Sequence, residues 1–183
     1  MVIALAGCLG NPSVEVDKQS LELAQGTSSD VTVLIDGVAV DDFYSVVWEI
    51  DDPSIATVTP AWDGKRLRIG GSLEGDTLVR VNSHGQTLEI PTRVGPPAIT
   101  EVWIEPAHVS TKVGGQVHVR AVALDTTLRL QDITHASRWT VRDTSVATLD
   151  MAGMMLQAMG EGATTLHVTH GELFTNIPIT IRN

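Results

Sequence analysis

Apolar and polar residues alternate along most of this chain. VTVLI from Val31, VHVRAVA from Val117 and LHVT from Leu166 carry an apolar side chain at every second position, the period of a strand with one face buried. No window long enough for a helix keeps an apolar stripe of helical period with caps, and one short turn is expected around Asp41 to Tyr44. Turn signals separate the runs: Gly26, Asp36-Gly37, Asp63-Gly64, Gly70-Gly71, Gly114-Gly115, Gly153, Gly160 and Gly171. The expected chain is therefore built almost wholly of short strands.

The strands are written twice. WEIDDPSIATV from Trp48 returns as WTVRDTSVATL from Trp139. Upstream, Val14, Val16, Leu21 and Gly26 correspond to Val102, Ile104, Val109 and Gly114. Downstream, GDTLVRV from Gly75 corresponds to GATTLHV from Gly162, and Ile90-Pro91 to Ile177-Pro178. Self-similarity over a domain length means two copies of one folding unit. Many short strands in units of this size predict an all-β chain of two β-sandwiches in tandem, residues 14–94 and 100–183. Between them, residues 95–99 contain Pro96 and Pro97. Two prolines fix φ and favour an extended backbone, so the domains are expected to stand end to end.

The repeated tryptophan has a physical role in such a sandwich. Trp48 and Trp139 fall on a mid-domain strand, where one large ring can fill the gap of about 10 Å between packed sheets. In the tetrads that follow, Ile55 and Val146 are expected to point inward. Asp52 and Asp143, just upstream, suit turns in which a carboxylate accepts local backbone N–H bonds. These residues together resemble the group 2 bacterial immunoglobulin-like domain. The second copy carries the pattern through Gly114, Trp139, DTSVATL from Asp143, GEGATTLHV from Gly160 and His170-Gly171. The first copy departs from it at LRIGG, Leu67 to Gly71, and at Asp76, where a small residue is usual. The resemblance implies a spacer, adhesin-stalk or accessory module on a bacterial surface. It carries over no functional residue, because the family's motif residues are structural.

The N-terminus, MVIALAGCLGNPS, holds a second resemblance. Leu5-Ala6-Gly7-Cys8 is similar to a bacterial lipobox, in which a cysteine is lipidated after cleavage before it. Cys8 is the sole cysteine of the chain, and residues 1–13 would then be signal remnant and tether. No Lys or Arg precedes the short apolar run, so either the true start lies upstream of Met1 or the match is fortuitous. An acylated Cys8 would hold the first domain close to a membrane, since five extended residues reach about 18 Å at most.

Charge and composition narrow the chemistry. Formal charge is −10, and residues 1–95 hold 14 acids against 6 Lys and Arg, while residues 96–183 hold 8 against 6. An acidic surface without clustered Lys and Arg disfavours nucleic acid. The six histidines offer no converging zinc set; His167 and His170 are expected on opposite faces, and His118 with Arg120 on one outward face. Asp41, Asp42, Asp51 and Asp52 could suggest calcium, but the spacing of a helix-loop-helix calcium loop is absent. No nucleophile elbow, phosphate loop or dinucleotide fingerprint occurs. The sequence thus implies no catalytic residue, no metal site and no cofactor.

What remains is binding. The leading expectation is a non-catalytic lipoprotein of the cell envelope, anchored at the outer membrane or cell surface through Cys8, whose domains act as spacer, adhesion or protein-binding modules. The alternative is a carbohydrate-binding or wall-associated accessory module using loop aromatics. Trp62, in the loop TPAWDGK, is its candidate contact; Trp103 is expected to cover the domain junction.

Overall fold

The computed structural model describes residues 12–40, 46–61 and 66–183. The turn expected at Asp41 to Tyr44 therefore lies outside the described residues. The chain divides into two compact units, Met1–Pro97 and Ala98–Asn183, and both are all-β. In the first, the strands are β1 (Val14–Val16), β2 (Leu21–Ala24), β3 (Ser28–Val31), β4 (Val33–Ile35), β5 (Val38–Ala39), β6 (Val46–Ile50), β7 (Ala56–Pro60), β8 (Leu67–Gly71), β9 (Gly75–Ser83) and β10 (Gln86–Gly95). The second repeats them in order: β11 (Ile99–Glu105), β12 (Val109–Lys112), β13 (Gln116–His118), β14 (Arg120–Asp125), β15 (Leu130–Asp132), β16 (Arg138–Val141), β17 (Ala147–Asp150), β18 (Met155–Ala158), β19 (Gly162–His170) and β20 (Leu173–Arg182). β10 runs to Gly95 and β11 starts at Ile99.

Each unit is a sandwich of the same topology. A four-stranded sheet, β2-β10-β9-β6 or β12-β20-β19-β16, packs against two three-stranded ladders, β1-β4-β5 with β3-β8-β7, or β11-β14-β15 with β13-β18-β17. Alternation buries one face of each. Val79, Val81, Ile90 and Val94 of the first four-stranded sheet meet Val14, Val31, Val33, Ala56 and Ile69 of its ladders. Leu166, Val168, Ile177, Ile179 and Ile181 do the same against Ile104, Ala121, Ala123, Ala147 and Leu156. Burial of these side chains from water is the main favourable term in folding each unit.

The alternating runs at Val31 and Val117 read as single strands, and the structure divides both. β3 pairs with β8, the chain leaves the ladder at Thr32, and β4 pairs with β1. Likewise β13 pairs with β18, and after Val119 β14 pairs with β11 and β15. The freed backbone groups are satisfied at once: Thr32 N–H donates to Asp17 Oδ1 at 2.8 Å, and Val119 N–H to the Met154 carbonyl at 3.0 Å. His118 and Arg120 are both exposed, yet they belong to different ladders.

The turn after each tryptophan strand crosses from one layer to the other, and it is built identically in both copies. Asp52 N–H donates to Thr77 Oγ1 at 3.0 Å and Asp143 N–H to Thr164 Oγ1 at 2.9 Å. The Asp52 carboxylate accepts from Ser54 N–H and Oγ at 2.9 and 2.6 Å, and Asp143 accepts the same two bonds from Ser145. This closure delivers Ile55 and Val146 against Gly75 and Gly162. A Cβ on Gly75 would stand 2.9 Å from Ile55 Cδ1, and one on Gly162 3.1 Å from Val146 Cγ2. Both glycines also hold φ near +150°, a backbone that L side chains rarely adopt.

Gly162→Ala is therefore expected to destabilise the second unit by about 1–3 kcal/mol through backbone strain alone, with the Val146 contact added. Denaturant unfolding checks it, with Gly114→Ala as control: Gly114 has φ +81° but open space at its Cβ, so its variant should lose less.

Candidate functional site

The two tryptophans occupy matching places but different environments. Trp139 on β16 is 9% exposed, and its indole N–H donates to the Thr134 carbonyl at 2.9 Å. That carbonyl is supplied by a 3-10 turn, Thr134–Ala136. Ser137 Oγ donates to the Ile133 carbonyl beneath it at 2.8 Å. Trp48 on β6 is only half-buried, packed at the margin of its core, and its buried indole N–H has no hydrogen-bond partner among the described residues. Val146 is buried, whereas Ile55 is half-buried and packs on the core edge.

Around Trp48 the described residues leave the first sandwich open on one flank. β6 is the terminal strand of the four-stranded sheet and β7 the terminal strand of its ladder. Between them lies a cleft of about 470 Å³ lined by Trp48, Ile50, Pro53, Val58, Pro60 and Leu67, with Glu49 and Thr57 among its polar wall atoms. The walls are mostly apolar, and the volume falls in the range of about 300–1,000 Å³ typical of ligand pockets.

The outward faces of the two four-stranded sheets have diverged. In the first, Arg80 bridges Asp51 on β6's flank and Glu89 on β10, and Arg93 faces Asp76 at 3.9 Å. The carboxylates around Arg80 raise its pKa, mainly through the bond to Asp51. In the second, the matching face carries Thr140, Thr165, His167, Thr169, Asn176 and an exposed Phe174. His167 and His170 are half-buried, and each ring nitrogen has a hydroxyl neighbour, Thr165 and Ser137 respectively.

Asp51 and Asp52 are thus engaged by Arg80 and Ser54 rather than turned towards a common centre. Among the described residues no group of three or more His, Cys, Asp and Glu could hold a metal ion. Asp41, Asp42, Trp62 and Cys8 lie outside the described residues. Trp103 is half-buried on β11, facing away from the core; its indole N–H donates to Glu105, which also accepts from Arg120. Those two bonds, Arg120's first, hold the Glu105 carboxyl below the usual carboxylate range.

The family of Bacterial Ig-like domains (group 2) matches the chain at residues 12–88 and again at 98–180. The chain belongs to this family. Ice-binding protein 1 of Shewanella frigidimarina (strain NCIMB 400) is 26% identical over 136 residues, covering 73% of this chain and 15% of that protein. Among solved structures, the insect immune protein hemolin is similar with a TM-score of 0.51 and 13% identity, over 97% of this chain and 48% of that one. Domains 5–6 of the S-layer protein SbsC align with a TM-score of 0.39 and 18% identity, over 94% and 100%. These likenesses concern the fold.

Within this bacterial Ig-like pair, sequence reasoning missed the cleft beside Trp48. A signal was present: the connection from β7 to β8 spans residues 61–66, against 151–154 in the second copy, and Pro60 and Leu67 at its two ends line the cleft. It also missed Asp125. This buried carboxylate caps the β14–β15 hairpin, accepting from Thr127 N–H and Oγ1, Arg129 N–H and Gln131 Nε2 at 2.7 to 3.0 Å. The bond from the Thr127 hydroxyl is the largest of the influences that hold its pKa at about 2.

Two outcomes follow from these environments. Trp139→Phe and Trp48→Phe remove the same ring volume, but only the first orphans a carbonyl, so it should cost about 1–3 kcal/mol more in thermal or denaturant unfolding. Because Asp125 titrates lower folded than unfolded, its contribution is complete above pH 4 and is lost as pH falls from 3.8 towards about 2. A pH series of unfolding midpoints for the second unit should fall across that window, and Asp125→Asn should lower stability at neutral pH while flattening the fall.

Proposed function

We propose that this chain is a non-catalytic bacterial envelope protein in which two Ig-like domains, 14–94 and 100–183 joined by residues 95–99, form a protein-binding and spacer element carried by a lipid anchor on Cys8. The carrying observation is what the duplication keeps and what it varies. Both copies preserve the layer-crossing turn, the glycine contact and the sheet order. They differ in surface charge and in the flank beside the tryptophan. Selection for packing in both copies with freedom outside suits modules whose work is display and contact rather than chemistry. Membership of the group 2 family in both segments supports the same reading. The lipobox-like Leu5-Ala6-Gly7-Cys8 supports the anchor. A glycan-binding role rests on Trp62 alone.

The anchor is tested by expressing the full chain in bacteria with its native upstream sequence and partitioning it in a clouding detergent. The wild type should enter the detergent phase and Cys8→Ser the aqueous phase; equal partitioning of the two would remove the anchor.

A further inference from the structure

We infer that the open flank of the first domain is a docking site for an extended segment of a protein partner, which adds as a strand to β6 and places a large apolar side chain in the cleft beside Trp48. The inference rests on reading the domains as protein-binding modules, and it names the surface and the chemistry of the partner.

The geometry supplies both halves of strand-addition recognition, in which an unpaired edge gives main-chain bonds and a pocket selects alternate side chains. Among the described residues β6 pairs with β9 alone, over Val46 to Ile50, and none of them pairs with its other edge. It contains no proline. β7, the terminal strand across the cleft, ends in Pro60, a residue that blunts an edge. The incoming strand is therefore assigned to β6. Along β6, Trp48 and Ile50 turn into the cleft while Val47 stays 57% exposed on the outer face. An added strand would cover Val47 from the side and set its own inward side chains above Trp48, Ile50 and Val58. Trp48 also brings to this wall a buried indole N–H that finds no acceptor among the described residues, where Trp139 has one.

Charge selects the partner. Glu49 is exposed on the outer face of β6 bordering the cleft, opposite an Arg80 already taken up by Asp51 and Glu89; Asp52 is exposed and kept ionised by the Ser54 hydroxyl and N–H, and the first half of the chain has 14 acids against 6 bases. A second copy offering the same acidic flank would set like charges against each other. A segment with an apolar residue flanked by Lys or Arg is complementary.

The test is selection of a randomised dodecapeptide library on phage against the full chain. Enriched peptides should alternate polar and apolar residues with flanking Lys or Arg, protect amides of residues 46–50 from hydrogen exchange, and weaken as salt rises. Val58→Arg, which carries a long charged side chain from β7 into the cleft, should weaken binding about tenfold or more. Glu49→Lys, at an exposed position beside the cleft, should remove the preference for basic flanks and serves if Val58→Arg fails to fold. No enrichment, protection of a different strand, or binding unchanged in both variants would overturn the inference. Cys8→Ser protein should give the same result as wild type, so failure of the anchor and failure of the docking edge are read separately.

Discussion

Each sandwich depends on a turn that carries the chain from one layer to the other and locks both there. In the second copy, Asp143 closes the turn on Ser145, its N–H is held by Thr164 of β19, and Val146 is pressed on Gly162 at the start of that same strand. The Val146 carbonyl then accepts from Met159 and Gly160, which lead out of β18. The turn, the start of β19 and the exit from β18 meet at one residue. In the first copy Asp52, Ser54, Thr77, Ile55 and Gly75 repeat the arrangement, with Ser72 and Leu73 donating to the Ile55 carbonyl. A side chain on either glycine would have to displace the residue that joins the layers, which explains why D-x-S-[IV]-A-T and the later glycine recur together.

This dependence accounts for what the sequence made legible. Alternation identified strands because one face of each is buried, and the D-x-S run announced its turn because the carboxylate, the hydroxyl and the spacing are all local. The crossing of ladders at Thr32 and Val119 was hidden, since alternation continues through both residues and only the pairing partners change. The half-burial of Trp48 was hidden for a related reason. The acceptor that satisfies Trp139 is a main-chain carbonyl in a 3-10 turn, and no side-chain pattern records where a carbonyl points. Departures of the first copy have plain structural correlates: Asp76 faces outward towards Arg93, and a Cβ on Gly71 would stand 2.9 Å from Val94 Cγ1.

Divergence between the copies is concentrated where packing does not constrain it. The ion pairs of Arg80 and Arg93 lie on an outer sheet face whose counterpart is rich in threonine and bears Arg138 and Arg182. Substitutions there leave the buried valines and isoleucines untouched, so one fold presents two chemically distinct surfaces. The cleft beside Trp48 is a different case, because it reaches the core margin and exposes apolar wall that the second copy keeps under Trp139. An opening of that kind leaves apolar wall without packing in a unit of this size.

One feature of the topology bears on force. The pairs β2 with β10 and β12 with β20 are parallel, running from Leu21 opposite Thr92 to Ala24 opposite Gly95, and from Val109 opposite Ile179 to Lys112 opposite Arg182. Once the first strand of a unit has parted from its antiparallel neighbour, β4 or β14, tension carried along the chain pulls β10 or β20 from its C-terminal end and β2 or β12 from its N-terminal end. The two strands would have to slide past each other lengthwise, so their hydrogen bonds share the load together instead of parting one after another. Each unit is thereby built to resist stretching along the chain more strongly than peeling at its hairpins.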